Sequence, residues 1–235
     1  MATIPRHDPP PDNLDGHIFY GLTLDPEQTA FRDAIYDSSK QIVFANARSG
    51  TGKSTIAVAT AILMCKYHLY DNIVYVMHPY CDAQGFLPGT ISEKSAVWFE
   101  ALYQAIYASN EVPEMIITND SMANQKAGTA FITAITSSYL RGSNIGADQK
   151  TILITDETQN FDEQNLRKVL TRACSNTKVI CIGHDGQIDL PNPRRSAFVR
   201  CMNHFASKND DRVAICSLSN NYRGFVSTVA DEPWE

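Results

Sequence analysis

Residues 47–55 read A-R-S-G-T-G-K-S-T, preceded by an apolar run at 41–45 and followed by a helical pattern over 53–68. No other stretch limits the fold as much. A strand that breaks into a glycine-bearing loop and resumes as a helix lines up successive backbone N–H groups around an anion. Here Ser49, Gly50, Thr51 and Gly52 would wrap a polyphosphate. Lys53 would reach its β and γ phosphates, the Ser54 hydroxyl would face a metal ion, and Thr55 would complete the grip. Ala47 stands where the first glycine of such a loop is usual. That change is tolerable provided the backbone there keeps a negative φ.

Residues 151–157 read T-I-L-I-T-D-E, an apolar strand ending in two carboxylates. Asp156 suits Mg²⁺ held through its water shell, and Glu157 suits the orientation and deprotonation of a water molecule. Together the two motifs outline an ATPase rather than a small-molecule kinase, which must avoid hydrolysis and usually lacks the second acid. Between Lys53 and Asp156 there is room for at least one strand–helix excursion. That spacing suits P-loop ATPases in which an extra strand separates the loop strand from the acidic strand.

Further strand-like runs lie at 72–77, 129–134, 177–182 and 212–217. Helical patterns fall near 95–109, at 162–173 opened by Asp162, at 194–206 and briefly after Gly224. A further helix begins near Asp25, with Pro26 at its first position and Gln28 three residues after the cap. Strands alternating with helices, several of them nearly all apolar, predict an α/β fold: a three-layer RecA-like P-loop core, its sheet mostly parallel and helices on both faces. The 235 residues fit one domain over 17–235, after a proline-rich N-terminal tail over 1–16 that is expected to be disordered or extended.

Net charge is −6, which excludes an overall basic field for nucleic acid and leaves only a local patch. Residues 121–235 carry 13 Lys and Arg against 12 Asp and Glu, and residues 1–120 carry 7 against 14, so such a patch belongs to the second half. Six scattered cysteines form no C-x-x-C pair, so reduced core thiols are expected and a zinc site is not. With no apolar leader or membrane-length run in view, a cytoplasmic location is expected.

Several segments then carry a family resemblance: G-F-L-P-G-T-I-S-E-K at 85–94, S-Y-L-R-G at 138–142, D-E-T-Q-N at 156–160 and G-Q-I-D-L-P at 186–191. In this order around this loop, the chain from about residue 20 to about 231 resembles the PhoH-like ATP-binding proteins. That family is itself similar to the first motor domain of superfamily 1 helicases. The resemblance implies ATP and Mg²⁺ as ligands and ATP hydrolysis as the activity. It matches Gln28 to an adenine-side glutamine, with helix capping as the other reading, and Gln187 to a glutamine that senses the γ phosphate. Arg141 and Arg223 match arginines of later motifs. Two departures stand out. His78 occupies a position where arginine is common. His184 follows the glycine where an aspartate is usual, with Asp185 the nearest substitute.

Two-domain helicases complete their ATP site with an arginine from a second core, and this chain has room for one core. The resemblance therefore implies a homo-oligomer, a hexameric ring favoured, with Arg223 donated in trans and Arg195 or Arg200 as alternatives. Tyr139 and Arg141 offer a stacking ring and a phosphate contact for single-stranded RNA or DNA. The implied function is a helicase-like or translocase-like ATPase. The alternative is an ATP-gated regulatory or assembly module with slow hydrolysis. Short family members are frequent in bacterial viruses, so a phage origin fits.

Overall fold

A computed structural model describes residues 9–79, 97–118, 129–140, 142 and 144–232. The 85–94 motif, Cys81 and Arg141 lie outside the described residues. Six strands form one sheet: β1 (Ile42–Ala47), β2 (Asn72–Met77), β3 (Ile132–Thr136), β4 (Thr151–Asp156), β5 (Thr177–Gly183) and β6 (Val213–Leu218). Their order is β3-β2-β4-β5-β1-β6, and every pairing is parallel. The helices are α1 (Pro26–Tyr36), α2 (Lys53–Lys66), α3 (Glu100–Ala108), α4 (Pro113–Ile116), α5 (Glu163–Leu170), α6 (Phe198–Ala206) and α7 (Phe225–Ala230).

Strand alternation sorts the core into two layers. Val43, Ala45, Ile73, Tyr75, Ile152, Ile154, Ile180 and Ile182 point to one face, under α1, α2 and α3. Ile42, Phe44, Val76, Leu153, Val179 and Cys181 point to the other, under α5 and α6. Helix α2 is apolar over nearly its whole surface because it is sandwiched between sheet, α1 and α3, with residues 56–65 all buried. Each fully buried Ile or Val of these central strands contributes about 1.5–3 kcal/mol of transfer free energy.

Because all six strands run the same way, their carboxyl ends share one edge. Ala47, Asp156 and Gly183 end neighbouring strands there, and β5 lies between β1 and β4. The extra strand expected between the loop and the acidic pair is present. Period-two alternation also puts Asp156 on the face of Ile152 and Ile154, the face that α2 covers.

Two expectations need correction. The helix expected at 194–206 is broken. Asn192 caps a single 3-10 turn at Pro193–Arg195. Ser196 then extends to bridge Asp162, Ala197 N–H donates to the Phe161 carbonyl at 2.9 Å, and the α-helix restarts at Phe198. The tail expected over 1–16 is part of the folded body from Pro11 onward. Leu14 is only 1% exposed and joins the main core, and Tyr36 OH donates to the Pro11 carbonyl at 2.7 Å.

Candidate active site

The phosphate loop leaves β1 at Ala47 and enters α2 at Lys53. Gly50 and Gly52 have φ of +73° and +79°, the left-handed region, where a side chain costs about 1–2 kcal/mol. At Gly50 space is limiting as well, since a Cβ would fall 2.4 Å from Asn221 Oδ1. Ala47 lies in the extended strand, outside the positive-φ residues, so the missing first glycine costs nothing in backbone strain. Thr51 Oγ1 donates to the Arg48 carbonyl at 3.0 Å and ties the loop to itself.

Gln28 sits directly behind this loop. Its Oε1 accepts from Asp25 N in the capping box of α1, and its Nε2 donates to the Thr51 carbonyl at 2.9 Å. With 6% exposure and both ends of the amide engaged, its visible task is to brace the loop against α1. The capping half of the expectation is therefore in place, and an adenine contact would compete with the Thr51 bond.

Asp156 is completely buried at the end of β4. It accepts from Ser54 Oγ at 2.7 Å, from Glu157 N at 2.7 Å and from Tyr75 OH. Tyr75 is fully buried, and burial first, then the charge of Asp156, pushes its phenol well above the usual range. It stays a donor at any working pH. No lysine or arginine among the described residues pairs with Asp156. A buried carboxylate held by neutral donors alone, with a serine hydroxyl against it, is an all-oxygen set that fits a hard divalent cation. Sequence reading missed Tyr75. The available signal was a lone phenol inside an apolar strand, on the same sheet face as Asp156.

Glu157 follows in a left-handed conformation, φ +49°. For a residue with a Cβ this costs about 1–2 kcal/mol, and it swings the carboxylate out of line with the strand. One oxygen lies 3.8 Å from Lys53 Nζ; the other accepts from Gln159 Nε2 at 2.6 Å. Gln159 also donates to the Gln187 carbonyl at 3.0 Å, while its Oε1 accepts from His184 N at 3.0 Å. This fully buried amide thus joins the acid to the loop after β5. Gly183 makes room for it, because a Cβ there would sit 2.8 Å from Gln159 Oε1. Gln159 was legible only as part of D-E-T-Q-N, with no role attached.

Gln187 is exposed on this edge, and its Nε2 donates to Asp231 Oδ1 at 2.9 Å. The same carboxylate lies 3.8 Å from His184 Nδ1. The expected substitute, Asp185, is exposed, and its N–H donates to Asn46 Oδ1. Arg223 lies against its own loop: Nη1 donates to Ser49 Oγ at 3.0 Å, beside Tyr222 N–H donating to the Gly50 carbonyl. The two alternative arginines sit at the start of α5 instead, Arg195 on Asp162 and Arg200 on Glu163.

Tyr139 lies in the 3-10 turn after β3 and is 64% exposed. His78 Nδ1 is 2.6 Å from Ser137 Oγ, and its ring stacks obliquely on Phe161 at 5.1 Å. A cleft of about 420 Å³ between α5 and α6 shares none of the nucleotide-edge residues. No described helix is long and apolar enough to cross a membrane.

Residues 23–224 match the family model described as PhoH-like protein. A PhoH-like protein of Mycobacterium tuberculosis (strain ATCC 25618 / H37Rv) is 30% identical over 218 residues, 90% of this chain and 58% of the relative. One from Mycobacterium leprae (strain TN) is 29% identical over 225 residues, 93% and 60%. Protein PhoH of Escherichia coli (strain K12) is 30% identical over 180 residues, 75% and 48%. The chain spans about half to three-fifths of the length of these relatives. Among solved structures, the large terminase of bacteriophage HK97 matches with a TM-score of 0.54 at 14% identity, over 83% of this chain and 39% of that one. The Pif1 helicase of Candida albicans matches with 0.44 at 14% identity, over 86% and 41%. The terminase match carries the fold.

Proposed function

This chain belongs to the PhoH-like family and has an ATP-binding P-loop fold, and on that premise we propose that it hydrolyses ATP with Mg²⁺ at the carboxyl edge of its sheet. The observation that carries this reading is one convergence. Ser54 Oγ and Asp156 meet at 2.7 Å, and Lys53 and Glu157 at 3.8 Å, directly below a loop bent by Gly50 and Gly52. The loop amides from Ser49 to Thr55 cradle the phosphates, and Lys53 turns from Glu157 to the β and γ phosphates. Ser54 and Asp156 would hold the metal ion, whose charge would offset that of the phosphates. Glu157, freed from Lys53 and steadied by Gln159, orients the attacking water. Gln187 reaches the terminal phosphate.

Arg223 completes the phosphate site in cis. Donation of Arg223 between copies, the basis of the expected hexameric ring, is the alternative arrangement, and mixing Arg223→Ala with Lys53→Ala separates the two. Coupling to single-stranded RNA or DNA rests on the exposed ring of Tyr139. The alternative, an ATP-gated module with slow turnover, draws on the contacts of Lys53 with Glu157 and of Gln187 with Asp231, each of which ATP would have to displace.

Steady-state hydrolysis with and without single-stranded RNA and DNA separates the two readings. A motor-like ATPase is stimulated by polymer, loses that stimulation in Tyr139→Ala, and loses turnover but not nucleotide binding in Glu157→Gln. Slow, polymer-independent turnover would favour the module. No turnover in the unaltered chain would overturn the ATPase.

A further inference from the structure

Residues 219–231 fold back over the nucleotide edge. Asn221 and Tyr222 meet Gly50, Arg223 meets Ser49, and Asp231, at the end of α7, meets Gln187 and His184 and lies 4.0 Å from Arg48. Helix α7 itself is lightly packed, tied to the preceding segment by Asn221 Nδ2 donating to Ser227 Oγ at 2.9 Å. It has six residues, none of them buried, with Phe225, Val226 and Val229 exposed. It starts at Gly224, whose φ of +100° and ψ of −176° suit glycine alone. An element with no buried side chain opens at low cost.

The Asp231 contact is itself incompletely satisfied. The carboxylate is nearly buried, with 6% side-chain exposure, yet Oδ2 has no hydrogen-bond partner, and neither has the adjacent buried His184 Nδ1. Among the described residues the carboxylate accepts one side-chain hydrogen bond, from Gln187, and Arg48 Nε stands at ion-pair distance, 4.0 Å, from Oδ2. An under-satisfied buried carboxylate is a poor permanent anchor. It is well suited to a contact that must be given up.

We propose that Asp231 is the positioning residue of the nucleotide edge: it holds the Gln187 amide in the ligand-free chain and yields it to the terminal phosphate, so that α7 undocks about Gly224 when triphosphate is bound. The proposal rests on the ATPase reading above and adds to it the element that reports γ-phosphate occupancy. Swinging the Gln187 side chain toward the phosphate carries its Nε2 away from Asp231 and breaks the hydrogen bond between them. Diphosphate offers no terminal oxygen for that exchange, so α7 stays docked.

Sub-second hydrogen exchange over residues 225–230 tests this in two arms. In the ligand-free chain, Asp231→Asn and Gln187→Ala each speed exchange, while the melting temperature stays within a few degrees. In the unaltered chain, Mg²⁺ with a non-hydrolysable triphosphate speeds exchange about tenfold, the effect of one lost charge-assisted hydrogen bond, and Mg²⁺ with ADP does not. Asp231→Asn also changes kcat with KM kept, and Asp231→Glu restores it. Ligand-free exchange unchanged by Asp231→Asn overturns the proposal. So does tight triphosphate binding, seen by calorimetry, with α7 exchange unaltered. An absence of nucleotide binding would remove the ATPase reading together with its consequence for α7, and calorimetry tells that case apart.

Discussion

The phosphate loop and the wall opposite it line the same edge of the sheet but are assembled differently. In the loop, Gly50, Gly52, Lys53 and Ser54 come from one continuous turn, and their geometry follows from glycine dihedrals and a helix start. The opposite wall takes Asp156 and Glu157 from the end of β4, Gln159 from the turn beyond, Gln187 from the loop after β5, and Arg223 and Asp231 from the segment after β6. The first region grips by local backbone geometry. The second depends on side chains meeting across long sequence distances, so single substitutions there act through neighbours. Binding defects are expected from substitutions in the first region and turnover defects from substitutions in the second.

The largest effect that would break this division is expected at Arg223. If it stabilises the phosphates from within its own chain, Arg223→Ala lowers kcat about 10³-fold. Mixing that variant with Lys53→Ala then restores nothing. Recovery in the mixture would show donation between copies. Next is Gln159→Ala, which leaves Glu157 unsteadied and Gln187 unlinked. Turnover is expected to fall about 10- to 100-fold while Mg·ATP affinity changes little, and stability falls about 1–3 kcal/mol in denaturant melts because buried partners are left unpaired.

Tyr75→Phe removes one donor to Asp156 without changing shape. It should cost about 1.5–3 kcal/mol of stability in the same melts, since the lost hydrogen bond is to a charged group. The smallest effect belongs to a control at the other edge of the sheet. Lys178 is buried, with Nζ donating to the Asp37 carbonyl at 2.7 Å, and burial lowers its amine from 10.5 to about 8, against a smaller opposing effect of Asp37. The unfolded chain keeps a proton that the folded chain releases, so stability rises with pH between about 8 and 10.5; below about 8 that gain is absent. Lys178→Met should flatten the rise in melting temperature over that window and leave Mg·ATP binding unchanged.

Much of the fold was legible because parallel strands buried on both faces announce themselves as apolar runs. All six strands appear within about three residues of their expected places, and α1 carries the cap, proline and glutamine read from the chain. The break before α6 was not legible, because it depends on Ser196 and Ala197 pairing with residues 161–162, a contact that no local pattern encodes. The site divides the same way. Residues 47–55 form the strand–loop–helix turn read from the chain, and Asp156 ends an apolar strand with Glu157 just beyond it. Tyr75, Gln159 and Asp231 are ordinary in sequence and acquire roles only through the atoms they meet. Whether Arg223 acts within its own chain or between copies is not legible from counting domains, which says nothing about the contact it makes with Ser49 of its own loop.

Whether triphosphate settles on the loop at Lys53 is decided by isothermal titration of Mg·ATP into the unaltered chain and into Lys53→Ala. Saturable one-to-one binding is expected for the unaltered chain, and affinity at least about 100-fold weaker for Lys53→Ala, which loses a charge-assisted contact to phosphate. No heat of binding, or equal affinity in the two proteins, would contradict that placement.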